Sequence, residues 1–288
     1  MSAFEPTLLS PALGLEISGL DLRDGLDAST ASQLDALLAR HLVLLFRDQD
    51  LAPTQMHAAL STLGTPMRQH HSSTLFEDCP DVAALASVDS PRDENGKPHA
   101  LGSACWHSDH INHENPPKCT ILHAKKLPSS GGDTSFANMR KAYRALPEAM
   151  RARAERLRSV NGMQQGASIA TATDEQRHKK RSVHPLVRTH PVTGEHALYF
   201  HPGKLDHFEG LSQEASVAFL EELQREALKP EVIYRHQWRV GDVLLCDNRA
   251  CVHMAHDDYD HDEGRLMYRM LLQGDRPFFR PVTRPTYD

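Results

Sequence analysis

Short stretches of alternating or uniformly apolar residues run through most of the chain. Residues 15–22 alternate between apolar and polar positions, and residues 41–47 form a short apolar run, so both patterns predict strands. The same reasoning predicts further strands at residues 82–88, 119–127, 196–200, 232–238, 243–246 and 266–273. This density of short strands indicates a fold built mainly from sheets.

Helical spacing of apolar residues is confined to a few segments. Helices are predicted after Asp27 and at residues 54–63, 140–158 and 212–227. Because strands and helices do not alternate regularly, we expect a mainly β fold with flanking helices, as a barrel or a sandwich. The 288 residues are expected to form one domain, residues 1–288, with lid-like insertions near residues 67–104 and 161–182.

Composition and charge exclude several kinds of partner. The chain is 40% hydrophobic and 24% charged, with a formal net charge of −6, which argues against nucleic-acid binding. No stretch of about 18 apolar residues and no secretory signal occurs, so we expect no membrane partner. The five cysteines form no CxxC pair, which favours a reducing compartment and a cytoplasmic location.

Two of the 19 histidines and one aspartate have the spacing of a metal site. His107 and Asp109 are two apart, and on a strand their side chains would project from one face. His253 follows the predicted strand at residues 243–246 and is the candidate third ligand. Two histidines and one carboxylate form a facial triad, which leaves iron positions open for chemistry. Taken alone, His-x-Asp equally fits a surface histidine bonded to a neighbouring carboxylate.

Two arginines lie on one face of the last predicted strand. Arg265 and Arg269 would point to the same side, roughly 13 Å apart at ~3.3 Å per residue. Buried arginine is rare unless it is paired, so each one either meets a fixed carboxylate of the chain or binds an anionic ligand. With an iron site beside them, the pair suits a dicarboxylate co-substrate and an anionic primary substrate.

Several motifs in sequence order resemble one family. They are WHSD at residues 106–109, PSSGGDT at 128–134, HPLVRTHP at 184–191 and GDVLLCDNR at 241–249, followed by His253, Arg265 and Arg269. Together they resemble the TauD/TfdA branch of the Fe(II)/2-oxoglutarate-dependent dioxygenases. The resemblance extends over most of the chain.

The resemblance implies a double-stranded β-helix, or jelly-roll barrel, and an oxidoreductase that uses Fe(II), 2-oxoglutarate and O₂. Its metal ligands and catalytic centre would be His107, Asp109 and His253. Thr134 and Arg265 would bind the far carboxylate of 2-oxoglutarate. Hydroxylation of a small organic anion, with or without cleavage of a C–X bond, would accompany release of succinate and CO₂. The resemblance also leads us to expect a homo-dimer or homo-tetramer.

The primary substrate is expected to be a carboxylate, a sulfonate or a sulfate held by Arg269, with His71 and Ser103 as further substrate contacts. His110 and His113 are more polar than is usual in the family, which favours a polar substrate. Two other readings stay open at this point: a non-catalytic barrel that binds a small anion, and a zinc hydrolase using the same three ligands. The zinc reading leaves the arginines and Thr134 without a role.

Overall fold

The computed structural model describes residues 4–68, 74–87, 104–162 and 181–281. In these residues the strands are β1 Glu5–Leu8, β2 Leu15–Ser18, β3 Val43–Phe46, β4 Val82–Ala86, β5 Cys119–Lys126, β6 Thr134–Asn138, β7 Arg158–Asn161, β8 Ser182–Pro185, β9 Val187–Thr189, β10 His196–Leu198, β11 Leu205–Phe208, β12 Ile233–His236, β13 Val243–Asp247, β14 Cys251–Ala255 and β15 Leu266–Leu272. The α-helices are α1 Ala28–His41, α2 Pro53–Leu60, α3 Met139–Ala145, α4 Glu148–Ala154 and α5 Gln213–Ala227. Most bounds lie within two residues of the predicted ones.

The strands form one large sheet and three small ones. The large sheet has seven strands in the order β1-β2-β3-β13-β5-β15-β4, antiparallel except where β2 pairs with β3. Smaller sheets have the orders β12-β6-β14, β11-β7-β8 and β10-β9. Strands that are distant in sequence are neighbours in the seven-stranded sheet and in the sheet β12-β6-β14, which is the topology of a jelly roll. The predicted fold class, mainly β with flanking helices, is confirmed.

The large sheet is buried on both faces because two layers pack against it. On β13, Val243 and Leu245 join the hydrophobic cluster under α1 and α2, while Leu244 and Cys246 join the cluster shared with the sheet β12-β6-β14. Such alternation follows from the two-residue period of a strand. The space between these two sheets is where the candidate site lies.

Local chemistry sets the helix ends. The Asp27 carboxylate accepts a 2.7 Å hydrogen bond from the backbone N–H of Thr30, which caps α1. The single helix predicted at residues 140–158 is wrong, because the chain breaks it at Leu146 and Pro147 into α3 and α4. A residue before proline disfavours helical backbone, so α3 ends there and Pro147 starts α4.

None of the helices in the described ranges has both the length and the apolar character needed to cross a bilayer. The predicted lid-like insertions fall largely on residues 69–73, 88–103 and 163–180, outside the described residues, so they stay a prediction.

Candidate metal and anion-binding site

One pair of backbone hydrogen bonds links the two proposed histidine ligands. His107 and His253 form an isolated antiparallel bridge, in which each N–H donates to the other carbonyl, at 3.0 and 2.9 Å. Their rings lie 4.3 Å apart, centroid to centroid. Asp109 follows in a turn, not on the strand that the sequence predicted. The bridge and the turn, rather than a continuous strand face, bring the three side chains together.

The three side chains form a compact, buried group. Asp109 Oδ1 lies 3.5 Å from His107 Nε2, and Asp109 Oδ2 lies 3.8 Å from His253 Nε2. Their candidate ligand atoms all lie within 4.8 Å of one another, and in the described part of the chain no other group of histidine, cysteine or acidic side chains does so. The predicted triad is therefore assembled in the fold.

Hydrogen bonds orient this group. His107 Nδ1 lies 2.7 Å from the Cys105 carbonyl oxygen. A carbonyl only accepts, so Nδ1 carries the proton and Nε2 presents its lone pair to the centre of the triad. Thr120 donates to Asp109 Oδ2 at 2.5 Å, and Asn248 Nδ2 donates to the Thr120 hydroxyl at 2.8 Å. Such outer contacts fix the orientation of metal ligands.

Electrostatics keep the triad in the state that binds metal. Burial alone raises the pKa of Asp109, but the contact with His107 and the nearby charge of Arg269 hold that pKa well below its usual range. Burial, followed by repulsion from His107, lowers the pKa of His253 to about 3 against the opposing effect of Asp109. At neutral pH the group offers a carboxylate and neutral imidazole, the forms that coordinate a cation. These donors fit an iron(II) ion held by a facial triad.

Arg265 is a buried cation near the end of the barrel. It is 7% exposed, and no carboxylate of the described residues lies within 4 Å of its guanidinium, whose Nε has no partner there. Burial lowers the pKa of Arg265, while Tyr259 and Asp133 raise it. A fixed internal ion pair, the alternative considered from the sequence, is not seen in these ranges. A buried guanidinium of this kind suits an anionic ligand.

Gly132 lies against Arg265, and Thr134 begins β6 two residues later. A Cβ atom on Gly132 would lie 3.3 Å from both Cδ and Nε of Arg265, so the absence of a side chain leaves room for the guanidinium. Thr134 is buried, and its hydroxyl accepts a 3.0 Å hydrogen bond from the indole N–H of Trp238. With that lone pair engaged, the hydroxyl proton is directed elsewhere and is available to an anion.

Arg269 lies at the middle of β15. It shares a strand face with Met267, as the alternation predicted, and it pairs across the sheet with Leu122 and Ala83. Burial lowers the pKa of Arg269, and the Asp109 carboxylate raises it. The two arginines therefore lie in different surroundings: the charge of Arg269 acts on Asp109, and Arg265 lies beside Gly132.

Some residues near the site were not predicted as functional, and some predicted residues are not described. Thr120 and Asn248 were not predicted, because no sequence spacing marks a hydroxyl or an amide at the end of a buried strand as the partner of a metal ligand. The predicted substrate contacts His71 and Ser103 fall outside the described residues.

The family comparison decides the class of this fold and site. Residues 6–271 match the family model described as "Taurine catabolism dioxygenase TauD, TfdA family". The chain belongs to the TauD/TfdA family. A TauD/TfdA member that carries this triad is an Fe(II)- and 2-oxoglutarate-dependent dioxygenase, so the expected enzyme class and cofactors are confirmed.

Relatives of this TauD/TfdA protein cover nearly all of it. An alpha-ketoglutarate-dependent sulfate ester dioxygenase from Pseudomonas putida is 34% identical over 92% of the chain and 88% of the relative. An alkylsulfatase from Acinetobacter baylyi is 32% identical, over 93% and 84% of the two chains. An alpha-ketoglutarate-dependent 2,4-dichlorophenoxyacetate dioxygenase from Cupriavidus pinatubonensis is 29% identical, over 93% and 96%.

Solved structures give the same assignment. A taurine dioxygenase from Burkholderia xenovorans superposes with a TM-score of 0.81 at 32% identity, covering 98% of this chain and 95% of that one. AAD-2 in complex with Mn(II) and N-oxalylglycine superposes with a TM-score of 0.80 at 27% identity, covering 97% and 100%. The jelly-roll prediction is confirmed.

Proposed function

We propose that this dioxygenase hydroxylates a small organic anion (a carboxylate, a sulfonate or a sulfate) and can thereby cleave a C–X bond, with release of succinate and CO₂. His107, Asp109 and His253 would hold the iron, which supplies the activation of O₂ when bound. The observation that carries the proposal is an arginine on β15, Arg269, whose charge acts on the Asp109 carboxylate of the triad. The relatives that act on sulfate esters and 2,4-dichlorophenoxyacetate support an anionic substrate.

The chain's own groups have distinct tasks in this proposal. Arg265 and the Thr134 hydroxyl would bind the far carboxylate of 2-oxoglutarate, in the space that Gly132 leaves open. Arg269 would bind the anionic group of the primary substrate and so place its reactive carbon near the triad. Positioning of this kind converts binding energy into rate. His71 and Ser103 remain proposed substrate contacts.

A non-catalytic protein that only binds a small anion would not need the triad, and a zinc hydrolase would not need Arg265. Neither alternative has an observation in its favour. We further propose a homo-dimer or homo-tetramer in the cytoplasm, on the family expectation and on the five cysteines, all of them free. Light scattering after size-exclusion chromatography tests the oligomeric state.

The test of function is O₂-dependent succinate release with Fe(II) and 2-oxoglutarate across carboxylates, sulfonates and sulfate esters. We expect one class to stimulate succinate above the uncoupled background. Arg269→Met should raise the apparent KM for that substrate and leave the KM for 2-oxoglutarate near wild type. Arg265→Met should do the reverse, and Arg23→Met, at an exposed arginine paired with Asp21, should change neither.

Two results would contradict the proposal. If no compound stimulates succinate while Fe(II) is demonstrably bound, the protein uses another co-substrate or another substrate class. If Arg269→Met leaves the substrate KM unchanged while Arg265→Met abolishes 2-oxoglutarate use, the assignment of the substrate anion to Arg269 fails.

A further inference from the structure

An aromatic ring borders the buried guanidinium of Arg265. Tyr259 is half-buried in the loop that joins β14 to β15. A Cβ atom placed on Gly132 would lie 3.3 Å from Cδ1 of Tyr259 and 3.3 Å from both Cδ and Nε of Arg265. The phenol ring and the arginine side chain both lie against Gly132, and these atoms are no more than twice that distance apart.

Neighbouring side chains hold the Tyr259 ring in place. It stacks on His261, with the ring centroids 4.4 Å apart and the ring planes 14° from parallel. His261 is 8% exposed, and its Nε2 lies 2.5 Å from a carboxylate oxygen of Asp257. The Ser87 hydroxyl donates to the His261 carbonyl at 3.1 Å and accepts from the Arg265 N–H at 2.8 Å. One serine therefore connects the residue that supports Tyr259 to the arginine that Tyr259 borders.

The loop that carries Tyr259 is fastened to the turn before β6. The Asp258 carboxylate accepts a 2.9 Å hydrogen bond from the Gly132 N–H. The Glu263 carboxylate accepts from the Ser129 N–H at 2.5 Å and from the Ser129 hydroxyl at 2.9 Å. Loop and turn are thus joined at two places, one on each side of Tyr259 in the sequence. Both contacts restrict movement of the phenol ring away from Arg265.

The groups around Arg265 give the space its shape without neutralising the guanidinium. Burial raises the pKa of Tyr259 against the opposing effect of Arg265, so the phenol is neutral at pH 7. The carboxylates of Asp133 and Asp258 each accept a 2.7 Å hydrogen bond from Arg235 instead. In the described ranges, Tyr259 therefore acts on this space as a neutral aromatic surface and not as a counterion.

From this arrangement we infer that Tyr259 forms the end wall of the co-substrate site and determines which length of 2-oxo acid fits against Arg265. The inference rests on the proposed function, in which Arg265 binds the far carboxylate of 2-oxoglutarate. A fixed ring beside a fixed cation favours one chain length, because a longer acid has to displace the ring or bend. One methylene group in a fitted pocket changes discrimination by about 10–200-fold.

Three 2-oxo acids separate the wall from the cation. 2-Oxoglutarate is the proposed co-substrate, and 2-oxoadipate carries the same two carboxylates with one more methylene group between them. 2-Oxopentanoate has the five-carbon chain of 2-oxoglutarate but ends in a methyl group. The first pair of acids tests the length of the site, whereas the comparison of 2-oxoglutarate with 2-oxopentanoate tests whether the far carboxylate is bound at all.

The experiment is anaerobic calorimetric titration of the Fe(II)-loaded protein with each acid, since without O₂ none is consumed. Wild type should bind 2-oxoglutarate at least about tenfold more tightly than 2-oxoadipate. Tyr259→Ala should reduce that preference to about twofold or less, mainly by binding 2-oxoadipate more tightly. Tyr259→Phe keeps the ring and should keep the preference, and Phe278→Ala, which removes an aromatic ring that is 37% exposed, should not change it. If circular dichroism shows that Tyr259→Ala does not fold, Tyr259→Leu should still reduce the preference about threefold or more.

Three results would overturn the inference: equal binding of the two dicarboxylates by wild type, equal weakening of both in Tyr259→Ala, or loss of the preference in Tyr259→Phe. The third acid separates this failure from failure of the proposed function. If 2-oxoglutarate binds more tightly than 2-oxopentanoate while the two dicarboxylates bind alike, the proposed function stands and the role of Tyr259 falls. If 2-oxopentanoate binds as tightly as 2-oxoglutarate, the far carboxylate is not bound by Arg265 and the proposed function falls first.

Discussion

Replacing Thr120 by valine removes one buried hydroxyl that connects Asn248 to Asp109. In the structure this hydroxyl donates to Asp109 Oδ2 at 2.5 Å and accepts from Asn248 Nδ2 at 2.8 Å. Its loss frees the carboxylate to rotate away from the triad and leaves the Asn248 amide without that acceptor. A hydrogen bond to a charged group contributes about 1.5–3 kcal/mol. We therefore expect about 10–100-fold weaker binding of Fe(II), the usual cost of removing an outer contact of a metal ligand.

The assay is anaerobic titration of the metal-free protein with Fe(II) in competition with a chromophoric chelator. Thr120→Ser is the matched control, because it keeps the hydroxyl and loses only a methyl group, and it should bind Fe(II) within a few-fold of wild type. Circular dichroism of each variant checks that the fold is intact. Binding of Fe(II) by Thr120→Val as tight as by wild type would refute the idea that this contact orients Asp109.

Gly132→Ala should raise the KM for 2-oxoglutarate about tenfold, because the new Cβ would lie 3.3 Å from Arg265. Gly194 has a similar φ but nothing within 4 Å of the corresponding Cβ position. Gly194→Ala should therefore lower the free energy of unfolding by only about 1 kcal/mol and leave this KM unchanged. Equal KM values for the two variants would contradict this. Burial lowers the pKa values of His123 and His184 to about 4, against 6.5 when unfolded. Between these values the unfolded chain binds more protons, so the free energy of unfolding should fall as pH drops from 6.5 towards 4, by up to about 3 kcal/mol for each histidine. Urea titrations across that range measure it, and a flat profile would count against buried neutral histidines. Removal of iron by a chelator should lower the melting temperature without changing the far-ultraviolet circular dichroism, and re-addition should restore it.

Sequence patterns predicted those parts of the molecule that depend on local period. The apolar run around β13 shows as a strand because both of its faces are buried, and on β15 the alternation places Arg269 on the face of Met267, whereas Arg265 lies one residue before that strand begins. The break at Pro147 was visible in principle, but the helical spacing of the apolar residues on either side concealed it.

The sequence predicted which residues form the metal site, but not how the fold brings them together. His107 and Asp109 were identified by their spacing, although a single bridge and a turn, not a strand, bring them to His253. Contacts between distant segments could not be predicted, because nothing in the local sequence relates Thr120 to Asp109.

The bridge between His107 and His253 has a consequence for metal selection. The two backbones are joined by one pair of hydrogen bonds, so the Cα atoms from which both imidazoles extend are held next to each other before any metal arrives. A cation therefore binds to a preformed pair of ligands. An ion of unsuitable size has to displace the backbone around them as well as rotate the two side chains. Exchange of one metal for another then depends in part on how far the segment of His107 can move relative to β14, to which this bridge ties it.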